Sequence, residues 1–339
     1  MSRAGGWPGQ RRASFSLQDF EFASGQVLPE LRLNYITLGT PRRDTSGAVT
    51  NAVLLLHNTT GCAATWLTPH LGGELFGPGQ PLDASRLYLI IPDCIGFGGS
   101  SKPSDGLRAR FPNYRYADLV SANHRLLTEE LGIAHLKLVL GLSMGGMLTW
   151  MWGARYPDFQ DGLVPIASQP GPMSGRNWIQ RRISIEAIRN DPGWNGGDYV
   201  EPPSRYVLTA PFSALLTQSV LRLQDSAPTR EAADRLYEQL VERARAGDAN
   251  DRLYQLEASM DYDPSPVLGA IRSPLLAINF ADDELNPPAL GVVEDAMRQI
   301  PNARSALVPG DATTFGHVSA QHAALWKGHL GAFLRETAF

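Results

Sequence analysis

Five short, almost wholly apolar segments recur along the chain and restrict the folds that it can adopt. They are residues 52–57 (AVLLLH), 87–92 (LYLIIP), 136–141 (LKLVLG), 163–167 (LVPIA) and 275–280 (LLAINF). Strands that are buried on both faces of a parallel sheet have this continuous pattern. Residues 304–309 form a weaker sixth segment, whereas residues 15–22 and 31–40 alternate, as antiparallel strands near a sheet edge do. The chain is therefore predicted to contain a large, mostly parallel sheet.

Helical patterns separate these predicted strands. They cover residues 114–132, 144–156, 288–300 and 320–333. The second is apolar almost all round, which is typical of a helix at the centre of a domain, and it ends before Pro157. Strands that alternate with helices indicate an α/β fold with right-handed crossover connections.

One segment interrupts this alternation. Residues 168–267 contain no convincing buried strand, begin with a Pro/Gly-rich stretch and continue with helical patterns such as residues 230–246. We interpret the segment as a helical cap, inserted into a core formed by residues 1–167 and 268–339. Because it joins two core strands, it is expected to cover the strand ends, where α/β sheets bind ligands.

The composition excludes several other classes of protein. The chain has 339 residues, 43% of them hydrophobic, and a formal net charge of −4, so it offers no basic surface typical of nucleic-acid binding. No apolar run reaches the roughly 18 residues of a membrane span. Residues 1–15 lack the apolar segment of a secretory signal, and we expect them to form a frayed leader. Without an export signal, Cys62 and Cys94 are predicted to be free thiols of a cytoplasmic protein.

The most specific motif is Gly141-Leu142-Ser143-Met144-Gly145, which has the form G-x-S-x-G. It follows a predicted buried strand and opens the apolar helix, which is the setting of the nucleophile elbow in α/β-hydrolase folds. The tight turn of that elbow exposes the serine hydroxyl at the top of the sheet. Ser143 is therefore predicted to be the nucleophile; a helix-capping serine in a glycine-rich turn is the alternative interpretation.

A serine hydroxyl needs a general base, and in this fold the acid and the histidine follow the nucleophile in that order. His317 is the histidine in the loop that follows the last predicted core strand. The acid is expected after the strand at 275–280, where Asp282, Asp283 and Glu284 compete. We favour Asp283 and keep Asp282 as the alternative, because geometry decides which carboxylate holds the imidazole.

Two backbone amides are expected to bind the oxyanion that forms when the nucleophile attacks. One belongs to Met144, directly after the nucleophile, and the other is assigned to Thr59, in the loop after the first core strand. His57, at the start of that loop, is interpreted as a buried structural residue.

Thr60, Trp66 and Cys94 are predicted to line the substrate pocket. Cys94 lies in a second glycine-rich loop and is interpreted as a small wall residue rather than a nucleophile. No H-E-x-x-H or C-x-x-C motif occurs, and no G-x-G-x-x-G opens a helix after the first strand. We therefore predict no metal and no bound cofactor, and a small ester or other acyl compound as the partner.

Further motifs resemble the homoserine O-acetyltransferase family of α/β-hydrolases. They are S-M-G-G-M from Ser143, D-P-x-W from Asp191, G-G-D-Y from Gly196, an H-x-x-T-G loop at residues 57–61 and an acid-bearing D-x-L-x-P-P loop at residues 283–288. The last match supports Asp283. The resemblance covers most of the chain and implies a Ser-Asp-His triad, a helical lid, no metal and a homodimer formed through the lid. It also implies ping-pong transfer of an acyl group onto Ser143 and then onto an acceptor hydroxyl.

Two departures from the family concern the acceptor. The family has an Arg before its A-I-x-x-D-P motif, which resembles a clamp for the amino-acid carboxylate; here that position holds Ile185, with Arg181 and Arg182 nearby but shifted. The family also has an Asp after its catalytic His, where this chain has Val318. Without these groups the charges of homoserine would be buried unpaired, at a cost of several kcal/mol.

The sequence therefore predicts a serine-dependent acyl hydrolase, with a carboxylic ester or thioester as substrate and water as acceptor. An O-acyltransferase that uses acyl-CoA as co-substrate and a hydroxyl acceptor other than homoserine is the second interpretation. A non-catalytic binding protein on the same fold is the third, because a fold does not determine a function.

Overall fold

An eight-stranded sheet forms the centre of the computed structural model, which describes residues 6–337. Its strands are β1 Arg11–Glu21, β2 Val27–Leu38, β3 Ala52–Leu56, β4 Tyr88–Pro92, β5 Leu138–Leu142, β6 Leu163–Ile166, β7 Leu275–Phe280 and β8 Ala303–Val308. Their spatial order is β1-β2-β4-β3-β5-β6-β7-β8. Strand β2 is antiparallel to β1 and β4, and all other pairs are parallel. The predicted mostly parallel sheet, with antiparallel strands at one edge, is confirmed.

The first strand begins earlier than the sequence analysis predicted. Arg11 pairs with Thr37, and the pairing of β1 with β2 continues through Glu21. Residues 11–15 thus belong to the sheet and are not a frayed leader, because β2 supplies their backbone hydrogen-bond partners. Trp7 also packs edge-on against Phe76, with ring centroids 5.4 Å apart. The leader predicted for residues 1–5 lies outside the described residues.

Helices cover both faces of the sheet. The α-helices are α1 Gly72–Leu75, α2 Tyr116–Arg125, α3 Met144–Arg155, α4 Gly175–Arg189, α5 Ser204–Thr209, α6 Phe212–Thr217, α7 Val220–Ser226, α8 Arg230–Arg245, α9 Ala249–Glu257, α10 Val292–Met297 and α11 Lys327–Glu336. Helix α3 is the buried central helix that the sequence predicted. Across residues 6–337, no helix is long and apolar enough to cross a membrane.

Three predicted helices are shorter than their sequence patterns suggested. A π-helical turn, Leu126–Glu130, follows α2, and short 3₁₀ turns precede α10 and α11. Gly291 separates the 3₁₀ turn from α10, because its φ of 68° lies in the left-handed region and ends the preceding turn. These breaks leave the sheet and the position of α3 unchanged.

The connection between β6 and β7 contains helices α4 to α9 and, in its described residues, no strand. It is anchored to the rest of the protein by polar contacts: the Tyr254 hydroxyl donates to the carbonyl oxygen of Phe111 at 2.9 Å, and the Ser104 hydroxyl donates to Asp251 at 2.7 Å. The segment thus packs on the core as a helical layer. The division into a core and a cap of residues 168–267 stays a prediction.

The close contact between β5 and α3 positions the candidate nucleophile. A Cβ atom at Gly141 would lie 2.0 Å from the carbonyl oxygen of Gly145, and one at Gly145 would lie 2.3 Å from the carbonyl oxygen of Leu56. Side-chain carbons do not approach backbone atoms that closely, so both positions require glycine. The two glycines allow α3 to start directly above the end of β5.

We expect Gly141→Ala to lower the free energy of unfolding by about 3 kcal/mol, because the new methyl group overlaps backbone that cannot move independently. Urea denaturation measures this loss. Gly328→Ala in α11 is the control: its Cβ would meet no atom within 4 Å, so stability should stay unchanged or rise by up to about 1 kcal/mol. Equal stability of Gly141→Ala and wild type would contradict the close contact.

Candidate active site

Ser143 occupies a strained turn between β5 and α3. Its φ of 52° and ψ of −110° lie outside the regions that non-glycine residues normally adopt. Its backbone amide donates to the carbonyl oxygen of Ile166 in the neighbouring strand, at 2.8 Å. This combination is the nucleophile elbow that the motif predicted, and strain of this kind is concentrated at functional sites.

Three of the predicted residues are brought together at this turn. The Ser143 hydroxyl lies 2.7 Å from Nε2 of His317, and Nδ1 of His317 lies 2.8 Å from Oδ2 of Asp283. The residues are 174 and 34 positions apart in the chain. If Nδ1 carries the proton and donates to Asp283, then Nε2 is free to accept from the serine hydroxyl. The order Ser, Asp, His along the chain is the order found in α/β-hydrolases.

The Asp283 carboxylate is fully buried but accepts several hydrogen bonds from the protein. Its Oδ1 accepts the backbone amides of Leu285 and Asn286 at 2.9 and 3.1 Å, and its Oδ2 accepts the Asn286 side-chain amide at 3.1 Å. Burial alone would raise its pKa, but the electrostatic interaction with His317 and these hydrogen bonds bring the pKa below its ordinary value. Asp283 therefore stays ionised. Asn286, which the sequence analysis did not single out, also donates to the carbonyl oxygen of Ala167 at 3.0 Å.

Asp282, the alternative acid, points to a different partner. Its Oδ2 accepts the Thr314 hydroxyl at 2.8 Å and the Gly316 amide at 3.0 Å. It therefore holds the loop that carries His317 without contacting the imidazole. The neighbouring carboxylates separate because successive side chains in the loop point in different directions.

The two amides assigned to the oxyanion both lie beside the serine. Met144 is the first residue of α3, and the first N–H groups of a helix have no acceptor within it. Thr59 lines the same cleft as Ser143. Neither amide donates to another residue in the described part of the chain. Their assignment to the oxyanion stays a prediction that this lack of an internal acceptor supports.

Of the three predicted pocket residues, the structure places one in the cleft. Thr60 lines it, whereas Cys94 and Trp66 are completely buried and do not. Cys94 lies behind the wall, where its backbone amide donates to Nε2 of His57 at 3.1 Å. Trp66 packs among buried apolar side chains that include Leu71, Leu75 and Phe76. Neither side chain is therefore accessible to substrate, because both are fully buried.

His57 is also completely buried, and burial lowers its pKa. Its Nδ1 lies 2.9 Å from the carbonyl oxygen of Asn58. These contacts fit the structural role that the sequence analysis gave it.

The cleft around Ser143 has a volume of about 110 Å³ and two walls. The core supplies the serine, His317 and Val318, while α4 and α9 of the cap supply Arg181 and Arg252. None of the lining residues, all within the described range, is Asp or Glu. Arg181 was predicted to be out of register with the family's arginine, and no sequence motif pointed to Arg252.

Comparisons with known proteins define the class of this enzyme. Residues 51–317 match the family model of the α/β-hydrolase fold, so the chain belongs to that superfamily. Homoserine O-acetyltransferase of Haemophilus influenzae is 30% identical, over 81% of this chain and 84% of the relative. The chain is therefore a member of the homoserine O-acetyltransferase-like family of α/β-hydrolases.

Other relatives differ in activity. A probable acyltransferase of Methanothermobacter thermautotrophicus is 26% identical over 94% of this chain and 96% of its own length. The solved acetyl esterase MekB is 25% identical, with a TM-score of 0.81 and coverage of 96% and 97%. Proteins similar to this chain thus include both transferases and esterases.

The two cysteines should differ in reactivity. Burial raises the pKa of Cys94 to about 12, so this thiol should be neither ionised nor accessible in the folded protein, whereas Cys62 is half-buried. Ellman's reagent should therefore titrate one thiol in native protein and two in denaturant. Cys62→Ser should remove the native reaction. Two thiols reacting equally fast in the native state would place Cys94 at an accessible surface.

Proposed function

We propose that this protein is a serine-dependent acyl hydrolase that cleaves a carboxylic ester or thioester through an acyl-enzyme. The observation that carries the proposal is the chain of short contacts from Ser143 through His317 to the buried, ionised Asp283. This arrangement supplies a nucleophile, a general base and a carboxylate that orients the base.

In the proposed reaction His317 takes the proton of the Ser143 hydroxyl as its oxygen attacks the acyl carbonyl. The amides of Thr59 and Met144 bind the oxyanion of the tetrahedral intermediate. His317 then gives its proton to the leaving alcohol or thiol, and the acyl group remains on the serine. Water, deprotonated by the same histidine, attacks the acyl-enzyme and releases the acid.

Water is the proposed acceptor because the cleft lacks an acidic partner for the amino group of homoserine. Val318 occupies the position after the histidine, and no carboxylate lines the cleft within the described residues. An α-ammonium group would lose part of its hydration there without gaining an ion-pair partner. The likeness to an acetyl esterase of 25% identity also supports hydrolysis.

Acyl transfer is the second candidate, because the family includes homoserine O-acetyltransferases and a probable acyltransferase. It would use the same three residues, and only the acceptor would differ. The experiment that separates hydrolysis from transfer to homoserine supplies p-nitrophenyl acetate and acetyl-CoA separately, with and without L-homoserine, and follows the acetyl group by mass spectrometry. Release of acetate regardless of homoserine supports the hydrolase; formation of O-acetylhomoserine at the expense of acetate supports the transferase.

We expect Ser143→Ala to lower kcat for p-nitrophenyl acetate by at least about 10⁴-fold, because the acyl-enzyme no longer forms. An unchanged thermal melting temperature would show that the fold survives. If wild type and this variant turn over the ester at the same rate, or if wild type binds a ligand but cleaves no ester or thioester, the enzyme proposal fails.

The two neighbouring aspartates offer a matched pair of variants. Asp283→Asn should lower kcat roughly 10³- to 10⁴-fold, because an amide no longer selects the tautomer of His317 that accepts from the serine. Asp282→Asn should lower it less than about tenfold, since an amide oxygen still accepts from Thr314 and Gly316. Steady-state kinetics on one ester measures both. The reverse order of losses would assign the role to Asp282.

A further inference from the structure

Two arginines in the wall of the cleft have no acidic partner among the described residues. Arg181, on α4, is 6% exposed; its Nε donates to the side-chain oxygen of Asn177 at 3.1 Å, and its Nη1 is buried without an acceptor. Arg252, on α9, lines the same cleft and forms no ion pair with any described residue. Buried guanidinium groups are normally paired, because desolvating an unpaired charge is costly.

The two charges also act on each other. Burial lowers the pKa of Arg252, and the nearby charge of Arg181 lowers it further. Other arginines of α4 have acidic partners: Arg182 pairs with Glu186, and Arg189 pairs with the buried Glu257 of α9. A like-charged pair without a counterion lowers the stability of the empty protein, so its presence beside Ser143 needs an explanation outside folding.

We infer that Arg181 and Arg252 form an anion-binding subsite of the cleft, and that the substrate is a short acyl ester that carries a carboxylate and no ammonium group. This inference rests on the proposed hydrolase function for the ester and on the two arginines for the carboxylate. Guanidinium groups bind carboxylates through paired N–H donors, and the bond is strong where water is excluded.

The size of the cleft limits where the anion lies. Ser143 and both arginines border one space of about 110 Å³, so the carboxylate must be a few bonds away from the acyl carbonyl. The phosphates of acyl-CoA do not satisfy this condition, because a long pantetheine arm separates them from the thioester. An amino-acid ester satisfies it only in part, since no carboxylate lines the cleft to bind its ammonium group.

Binding to the Ser143→Ala protein tests the subsite without requiring turnover. Calorimetry would compare two charged esters, 3-acetoxypropanoate and monomethyl succinate, with their uncharged amides, 3-acetoxypropanamide and methyl succinamate. The pairs place the carboxylate on the alcohol side and on the acyl side respectively. We expect at least one charged ester to bind roughly 10- to 100-fold more tightly than its amide, as expected for charge-assisted hydrogen bonds. O-acetyl-L-serine and coenzyme A should bind more weakly than that ester.

Variants of the arginines supply the decisive comparison. The double substitution Arg181→Met and Arg252→Met, in the Ser143→Ala protein, should remove the preference for the charged ester. It should not lower the melting temperature, because a buried unpaired charge and a half-buried unpaired charge beside it are replaced by apolar side chains. Arg252→Lys should keep part of the preference. Arg182→Met, which removes an exposed surface pair, should keep all of it.

The inference is overturned if neither charged ester is preferred, or if the double variant keeps the preference. It is also overturned if coenzyme A or O-acetyl-L-serine binds more tightly than both charged esters. Hydrolysis of the same four esters by wild type is measured separately. Preferential binding without hydrolysis would reject the hydrolase proposal and retain the subsite, whereas hydrolysis without charge preference would do the reverse.

Discussion

The contact between the end of β5 and the start of α3 is the constraint on which the site depends. Gly141 and Gly145 leave no room for a side chain, and their backbones meet each other and the end of β3. This closeness forces the intervening Ser143 into a left-handed conformation that costs of order 1–3 kcal/mol. The parallel sheet supplies the compensation, because β6 accepts the serine amide and both strands are buried on each face. The hydroxyl is thereby presented to His317 instead of to solvent.

The charged groups around this serine differ in whether the protein supplies partners for them. Asp283 is surrounded by donors from Asn286, Leu285 and His317, so that its ionised form is stable in a buried position. The guanidinium groups of Arg181 and Arg252 have no acidic partner among the described residues, and Nη1 of Arg181 is buried without an acceptor. The charge of Asp283 is stabilised by the protein itself. The charges of Arg181 and Arg252 are complementary to an anion that the protein does not contain. A functional site commonly differs from the surrounding core in this way.

Arg181 places a positive charge on the same helix as the family's arginine, but at a different position along that helix. Arg181 precedes Ile185 by four residues, and residues four apart lie on the same face of a helix. The structure directs Arg181 into the cleft, although it does not occupy the family's register. The guanidinium of Arg181 lies one turn of α4 away from the family's position, and Val318 replaces an acid. Both differences change the charges that a bound ligand can carry. The shared fold and the three short contacts at the serine are compatible with that change, which fits a family whose members are named both transferases and esterases.

The sequence by itself determined the elements whose signals are local. Continuous apolar runs identify β3 to β7, and the glycines around Ser143 identify the elbow, because burial on both faces and tight turns restrict neighbouring residues directly. Chain order, together with its position in the loop before the last predicted helix, selected His317 among seven histidines. Contacts between distant segments were decided only by the tertiary structure. Local patterns do not report side-chain direction in a loop, so they could not show that Asp283 meets His317 while Asp282 meets Thr314, or that Trp66 faces away from the cleft. The convergence of Arg181 and Arg252 likewise requires α4 and α9, about 70 residues apart in the chain, to pack side by side.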